Sequence, residues 1–142
     1  MTSLEIALSL LTASGFGGIF GAYFQSRFQR QKDVQEDIHK LKRQRYGAIL
    51  IQMLTIIEPQ RGLSKAQQFR PDLKDIADFK EEVKTEMLHS VLFASDDVIK
   101  TMAGFLQNPC YSSYIKTTVA MRKDLWGKKT KINESMLNVF GK

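Results

Sequence analysis

The residues of this sequence that could do acid–base, nucleophilic or metal chemistry are two histidines, His39 and His89, and one cysteine, Cys110. A transition-metal site needs several such ligands close together, and neither histidine has a second one a single helical turn away. A lone cysteine excludes an intramolecular disulfide framework and is typical of a reducing compartment. We therefore expect no metal site, and we expect Cys110 to be a small buried apolar side chain.

Motifs for catalysis are also missing from the sequence. One class of helical ribonuclease carries an arginine little more than one helical turn before a catalytic histidine, and no arginine occupies such a position before His39 or His89. The sequence has no GxxxxGK[ST] or GxGxxG phosphate loop, no GxSxG nucleophile turn and no HExxH zinc helix. It thus predicts a non-enzymatic protein with no catalytic residue and no cofactor.

Charge is distributed unevenly along the 142 residues, whose formal net charge is +6. Residues 25–46 carry seven Lys or Arg against three acids, and residues 116–142 carry seven against two. Between them, residues 72–100 carry eight acids against four lysines. This order indicates either a basic surface that faces an anionic partner or contacts between oppositely charged faces of neighbouring copies.

Residues 4–24 form an apolar segment whose one charged residue, Glu5, lies near its outer end. As an α-helix the segment would extend about 31 Å, which matches the hydrocarbon thickness of a bilayer. A secretory signal peptide would carry Lys or Arg before the apolar run, and none is present here. We predict a transmembrane helix within residues 1–24, with a signal peptide, a buried core helix or an interfacial helix as the alternatives.

Three basic residues, Arg27, Arg30 and Lys32, directly follow the predicted span, and no Lys or Arg precedes it. The positive-inside rule then places the C-terminal part in the cytoplasm and the N-terminus outside the inner membrane. The same three side chains are close enough to the bilayer to contact anionic lipid head groups.

Small residues recur every four positions along one face of the predicted span. Such a face lets two membrane helices approach closely, and Gly17 and Gly21 form the GxxxG pair typical of this packing. Phenylalanines follow a neighbouring row and could fill the grooves of an adjacent helix. We predict a homo-oligomer whose interface comprises Ser9, Ala13, Gly17, Gly21, Phe16 and Phe20.

The sequence beyond the span predicts a long helix. No proline or glycine interrupts residues 22–46, so the span should continue as a basic helical stalk over residues 25–37. Apolar residues then return at helical spacing until Pro59, where the helix should end. Residues 59–71 contain two prolines and a glycine and are predicted to be a loop.

The remaining apolar residues recur at helical spacing in three stretches, which we predict to be helices: residues 76–91, 95–107 and 112–126. Ser95 should cap one N-terminus and Gly127 one C-terminus. Trp126 should be anchored in the core, with a stacking platform for a nucleic-acid partner as the alternative. Residues 132–140 should form a short last helix. The predicted fold class is therefore all-α, with an N-terminal transmembrane helix that continues into a stalk and an antiparallel helical bundle over residues 38–142.

A second basic cluster lies at the start of the predicted bundle and consists of Lys40, Lys42, Arg43 and Arg45. Along a straight helix it is roughly 25 Å beyond the span, several times the Debye length of about 8 Å, so direct contact with the bilayer is not expected. It is either a solvated face paired with acids or a surface that binds a nucleic-acid or protein partner.

The order of these features resembles that of small bacterial single-span membrane proteins. The resemblance rests on a glycine-rich span, a basic stalk, an acidic helix ending in LFASDDVI (residues 92–99) and the sequence MRKDLWG (residues 121–127). Part of the arrangement is similar to CRISPR-associated membrane accessory proteins, which have a span and a helical, HEPN-like cytosolic domain. That similarity implies a homo-oligomeric pore in antiviral defence. The arginine–histidine pair of HEPN nucleases is missing, so no catalytic residue is carried over.

These patterns favour a non-enzymatic homo-oligomeric inner-membrane protein, either a pore or a membrane-perturbing defence effector. An alternative is a membrane tether whose basic cytosolic domain binds a protein or nucleic acid. A third alternative, a membrane-bound ribonuclease-like protein, would need an active site without a familiar motif. Membrane lipid is an expected partner in each case.

Overall fold

The computed structural model describes residues 17–140, and within that range the fold is all-helical, with no strand. The predicted all-α class is therefore confirmed for these residues. Five α-helices are followed by two short 3₁₀ helices. Their bounds are α1 Gly17–Ile57, α2 Pro59–Phe69, α3 Ile76–Ser90, α4 Asp96–Gln107, α5 Tyr111–Trp126, and the 3₁₀ helices Gly127–Lys129 and Glu134–Phe140.

Helix α1 is unbroken over 41 residues. It contains no proline, and Pro59 fixes its end, because a proline disfavours helical backbone at the residue before it. Glu58 has accordingly left the helix, with φ −131° and ψ 77°. The predicted continuity of this helix is confirmed from residue 17 onward, and its predicted end is confirmed as well.

The first of two compact units in the chain is Met1–Ile38, described from residue 17 onward. Every side chain of residues 18–38 is exposed. Most of the predicted span, residues 4–16, lies outside the described residues. Among the helices that are described, none is long and apolar enough to cross a membrane.

The second unit, His39–Lys142, is built around one apolar core. Residues from α1, α3, α4 and α5 dominate it, and each large apolar side chain taken out of water stabilises the fold by about 1.5–3 kcal/mol. Helices as short as α3 and α4 depend on such packing, since isolated helices of that length are marginal in water. The fully buried large apolar side chains are Tyr46, Ile49, Met53, Phe79, Val83, Val98, Met102, Phe105 and Met121.

Helices α1 and α5 pack antiparallel within this unit. His39 lies against the backbone carbonyl of Leu125, near the C-terminal end of α5. Leu54, four turns farther along α1, lines a small cavity together with Tyr111 and Ile115 at the start of α5. An early residue of α1 is therefore close to the end of α5, and a later residue of α1 is close to its start, as in an antiparallel pair.

The predicted loop over residues 59–71 is wrong, because Pro59–Phe69 forms helix α2. Pro59 stands in the first turn, where the missing N–H of proline has no helical partner to lose. Gly62 lies where α2 meets α1, and a Cβ added there would be 2.6 Å from the Cα of Thr55. Proline and glycine favour a loop when only the local sequence is considered. Here the proline starts α2, and the glycine permits α2 to cross α1 closely.

The predicted helix ends are otherwise confirmed. The Ser95 hydroxyl accepts a hydrogen bond of 3.5 Å from the Val98 N–H at the start of α4. Gly127 follows α5 with φ +56°, a conformation that favours glycine. The predicted terminal helix over residues 132–140 is present as the 3₁₀ helix Glu134–Phe140.

Candidate functional site

The predicted basic cluster on α1 is divided by the helix into two pairs of side chains. Lys42 Nζ lies 3.0 Å from Asp124 Oδ2, and Arg45 Nη1 lies 3.2 Å from Glu86 Oε1. Lys40 is exposed, as is Arg43, and neither has an ion-pair partner in the described part of the chain. Lys42 and Arg45 therefore hold the bundle together, which leaves Lys40 and Arg43 available to a partner.

Asp124 joins α5 to α1 through one carboxylate oxygen. Oδ2 accepts hydrogen bonds from Lys42 Nζ and, at 2.5 Å, from the Tyr46 hydroxyl. The Asp124 side chain is only 10% exposed, so its charge is compensated by these two donors. Burial raises the pKa of the Tyr46 hydroxyl above its ordinary value, and the hydrogen bond to Asp124 raises it further.

This environment of Tyr46 predicts a dependence of stability on pH. The ordinary pKa of tyrosine is 10.0 and that of Tyr46 is higher in the folded protein, so above pH 10 only the unfolded chain releases this proton. The contribution of Tyr46 to the free energy of unfolding should therefore be constant below pH 10 and fall above pH 10.

We expect Tyr46→Phe to remove the part of this loss of stability above pH 10 that is due to Tyr46. Near neutral pH the substitution should cost about 2 kcal/mol, because a hydrogen bond to a carboxylate is lost. Denaturant unfolding between neutral pH and about pH 11 measures both effects. An equally steep loss of stability above pH 10 in the Tyr46→Phe variant would show that another group is responsible.

Trp126 lies in a cluster at the C-terminal end of α5. The His39 ring nitrogen Nε2 donates to the Leu125 carbonyl over 3.1 Å, one of the last carbonyls of a helix, which lack an intrahelical partner. The His39 ring meets Trp126 edge-on with centroids 5.7 Å apart, and the Arg122 guanidinium lies 5.8 Å from the Trp126 ring centroid. Trp126 is 46% exposed, so the expectation of a core anchor is wrong: as the last residue of α5 it lies at the edge of the core.

An open groove of about 260 Å³ between α1 and α5 is lined in part by Arg43, Arg122 and Trp126. We call these three residues the basic–aromatic groove. Two guanidinium groups beside an indole ring can pair with carboxylate or phosphate oxygens and stack on planar groups. Of the predicted partner-binding residues only Arg43 belongs to it. Arg122 was not among the predicted site residues, and Trp126 was considered only as an alternative stacking platform. Their spacing of four within one helix already placed them on one face.

Half of the predicted oligomer interface lies outside the described residues, since Ser9, Ala13 and Phe16 precede α1. Gly17 begins α1, and Phe20 is 57% exposed. A Cβ added at Gly21 would meet nothing within 4 Å. The packing of the described chain therefore does not require glycine at position 21. The predicted membrane-proximal residues are all exposed on α1: Arg27, Arg30 and Lys32.

The remaining chemically reactive side chains form no cluster. His89 is exposed in the last turn of α3, and among the described residues no group of His, Cys, Asp or Glu could hold a metal ion. Cys110 is partly exposed rather than buried, because it lies at the start of α5. A contact with the Ser113 hydroxyl lowers the pKa of the Cys110 thiol.

Comparison with known proteins yields no relative for this chain. No family model matches it, and neither a curated protein nor a solved structure does. The resemblance to CRISPR-associated membrane accessory proteins, which rests on the predicted span and the helical domain after it, stays a prediction.

Proposed function

We propose that the chain is a non-enzymatic, homo-oligomeric inner-membrane protein. In this proposal residues 1–24 cross the bilayer, residues 25–37 form the stalk, and residues 38–142 form a cytoplasmic antiparallel bundle. The observation that carries it is a set of large apolar side chains on α1 that are each more than half exposed: Ile19 72%, Tyr23 58%, Phe24 54% and Phe28 62%. A run of this kind within three helical turns is typical of a surface covered by lipid or by another protein.

The order of side chains along α1 supports the proposed orientation. Tyr23 is followed by the exposed cations Arg27, Arg30 and Lys32. Tyrosine is enriched at the membrane–water interface, and Lys and Arg are enriched on its cytoplasmic side. Anionic lipid head groups would attract the same cations.

The basic–aromatic groove favours a second candidate function, a membrane tether. Arg43 has no ion-pair partner among the described residues, and Trp126 presents a half-exposed ring beside Arg122. A segment rich in carboxylates or phosphates would complement this charge. The tether and the pore share the anchored, oligomeric arrangement and differ in whether the bundle holds a partner or the span admits solutes.

We expect the full-length protein to sediment with membranes, to resist alkaline carbonate and to be extracted only by detergent. A reporter fused at Lys142 should be active if it requires the cytoplasm, and inactive if it requires the periplasm. Fractionation and paired fusions to a fluorescent protein and to alkaline phosphatase measure both properties.

A charge-transfer variant provides the control for orientation. Replacing Arg27, Arg30 and Lys32 with serine and adding three lysines directly after Met1 should invert the reporter activities without releasing the protein from the membrane. Recovery of the unaltered protein in the soluble fraction without detergent would refute the anchor, and phosphatase activity of its Lys142 fusion would refute the orientation.

A further inference from the structure

Helices α1, α2 and α3 surround a cavity of about 340 Å³ that is separate from the basic–aromatic groove. Two aromatic side chains line it at different depths: Phe79 is fully buried and Phe69 is 74% exposed. The cavity therefore reaches from the core to the surface. Its volume is at the lower end of the range of about 300–1,000 Å³ typical of small-molecule sites.

Gln52 is the unusual residue in the wall of this cavity. Only 6% of Gln52 is exposed. Its Oε1 has no hydrogen-bond partner among the described residues. A buried amide oxygen without a partner destabilises the fold, because it has given up its hydrogen bonds to water. Gln52 lines the cavity, and the last side-chain torsion of glutamine is soft, so its amide can turn to meet a ligand.

The charged side chains of the wall are already paired with one another or with their neighbours. Arg45 Nη1 lies 3.2 and 3.5 Å from the two carboxylate oxygens of Glu86. Arg70 bonds both oxygens of Asp72, at 3.0 and 2.9 Å, and also bonds Glu82. These side chains neutralise one another in pairs, so the wall offers no uncompensated charge to an ionic ligand. Among the buried side-chain atoms of this wall, the one without a hydrogen-bond partner is Gln52 Oε1.

We infer that this cavity binds a small neutral aromatic molecule that carries a carboxamide or lactam edge. The Gln52 amide offers one donor and one acceptor side by side, and such an edge offers the complementary pair, as a nucleobase does to glutamine in other complexes. The rings of Phe69 and Phe79 supply the apolar faces that an aromatic ligand prefers. A pure hydrocarbon would leave the Gln52 amide unpaired.

The test uses benzamide as the probe and ethylbenzene, of similar size, as its apolar counterpart. In the full-length protein in detergent, ligand-observed NMR titration should show benzamide binding at least about tenfold more tightly than ethylbenzene. Gln52→Leu should reverse this preference. The same substitution should raise the melting temperature of the free protein, because an unpaired buried amide is replaced by an apolar side chain of similar volume.

A second variant leaves Gln52 in place. Ala48 is exposed and lines the cavity, so Ala48→Phe should block benzamide while the protein stays folded. Ala77→Phe, at an exposed position of α3 away from the cavity, is the matched control and should bind benzamide as before. Absence of benzamide binding, equal binding in all variants, or a Gln52→Leu protein that is destabilised or fails to fold would each overturn the inference, the last because it would assign the amide to folding.

Discussion

Replacing both Gly17 and Gly21 with leucine is expected to abolish the proposed oligomer and to leave the proposed membrane insertion intact. The two residues are one helical turn apart on α1, and a Cβ at Gly21 has open space around it within the protomer. Two leucines would hold neighbouring helices apart and remove their close van der Waals contact. Because leucine favours the bilayer, the amount of protein in membranes should be maintained. Cross-linking in membranes and dye leakage, measured in parallel, report assembly and permeability.

The matched control for this variant is Ile19→Leu combined with Tyr23→Leu. At 100° per residue these positions lie about 200° around α1 from the two glycines, so the oligomer should persist. An oligomer that survives the glycine replacements would remove the small-residue face from the proposal and assign assembly to the bundle. Lost assembly with unaltered leakage would exclude the pore and leave the tether.

The largest loss of stability is expected from Gly62→Ala, at about 3 kcal/mol. The new Cβ would lie 2.5 Å from Thr55 Oγ1 and 2.6 Å from Thr55 Cα, both well inside van der Waals contact. The Cα belongs to the backbone of α1, so rotation of a side chain cannot relieve the clash and the two helices must separate. Urea unfolding followed by helical circular dichroism measures the change.

Gly104→Ala is the control for the general effect of alanine in a helix. Gly104 lies within α4 and a Cβ there would meet nothing within 4 Å, so the substitution should stabilise the protein by about 0.5–1 kcal/mol. Adding Thr55→Ala to Gly62→Ala should recover little stability, since the backbone contact is retained. Full recovery would show that the hydroxyl alone, rather than the crossing of α1 and α2, requires glycine.

Most of the helical architecture follows from local patterns in the sequence. The unbroken stretch before Pro59 predicts α1, and Ser95 and Gly127 mark helix ends that the structure confirms. Helix α2 could not be predicted in this way, because proline and glycine occur both in loops and at particular positions of helices. Whether Pro59 begins a helix and Gly62 allows a close approach depends on a neighbouring helix that the local sequence does not reveal.

The candidate sites were less accessible to sequence analysis, because their pairings are distant in the chain. Lys42 lies 82 positions before Asp124, the residue that binds it, so its spacing to nearby acids gave no indication of this pair. Gln52 could have been identified from the sequence. It lies on the buried face of α1 between Ile49 and Ile56, where a polar side chain needs a hydrogen-bond partner.

Trp126 is the single tryptophan of the chain, and its position between His39 and Arg122 makes it an intrinsic optical probe. Its fluorescence arises from one known place, the contact of the C-terminal end of α5 with α1. A half-exposed indole held between two side chains will emit further to the red, with a faster anisotropy decay, once α5 leaves α1. Partner binding at the groove and separation of these helices can thus be followed in the unmodified protein, without a label.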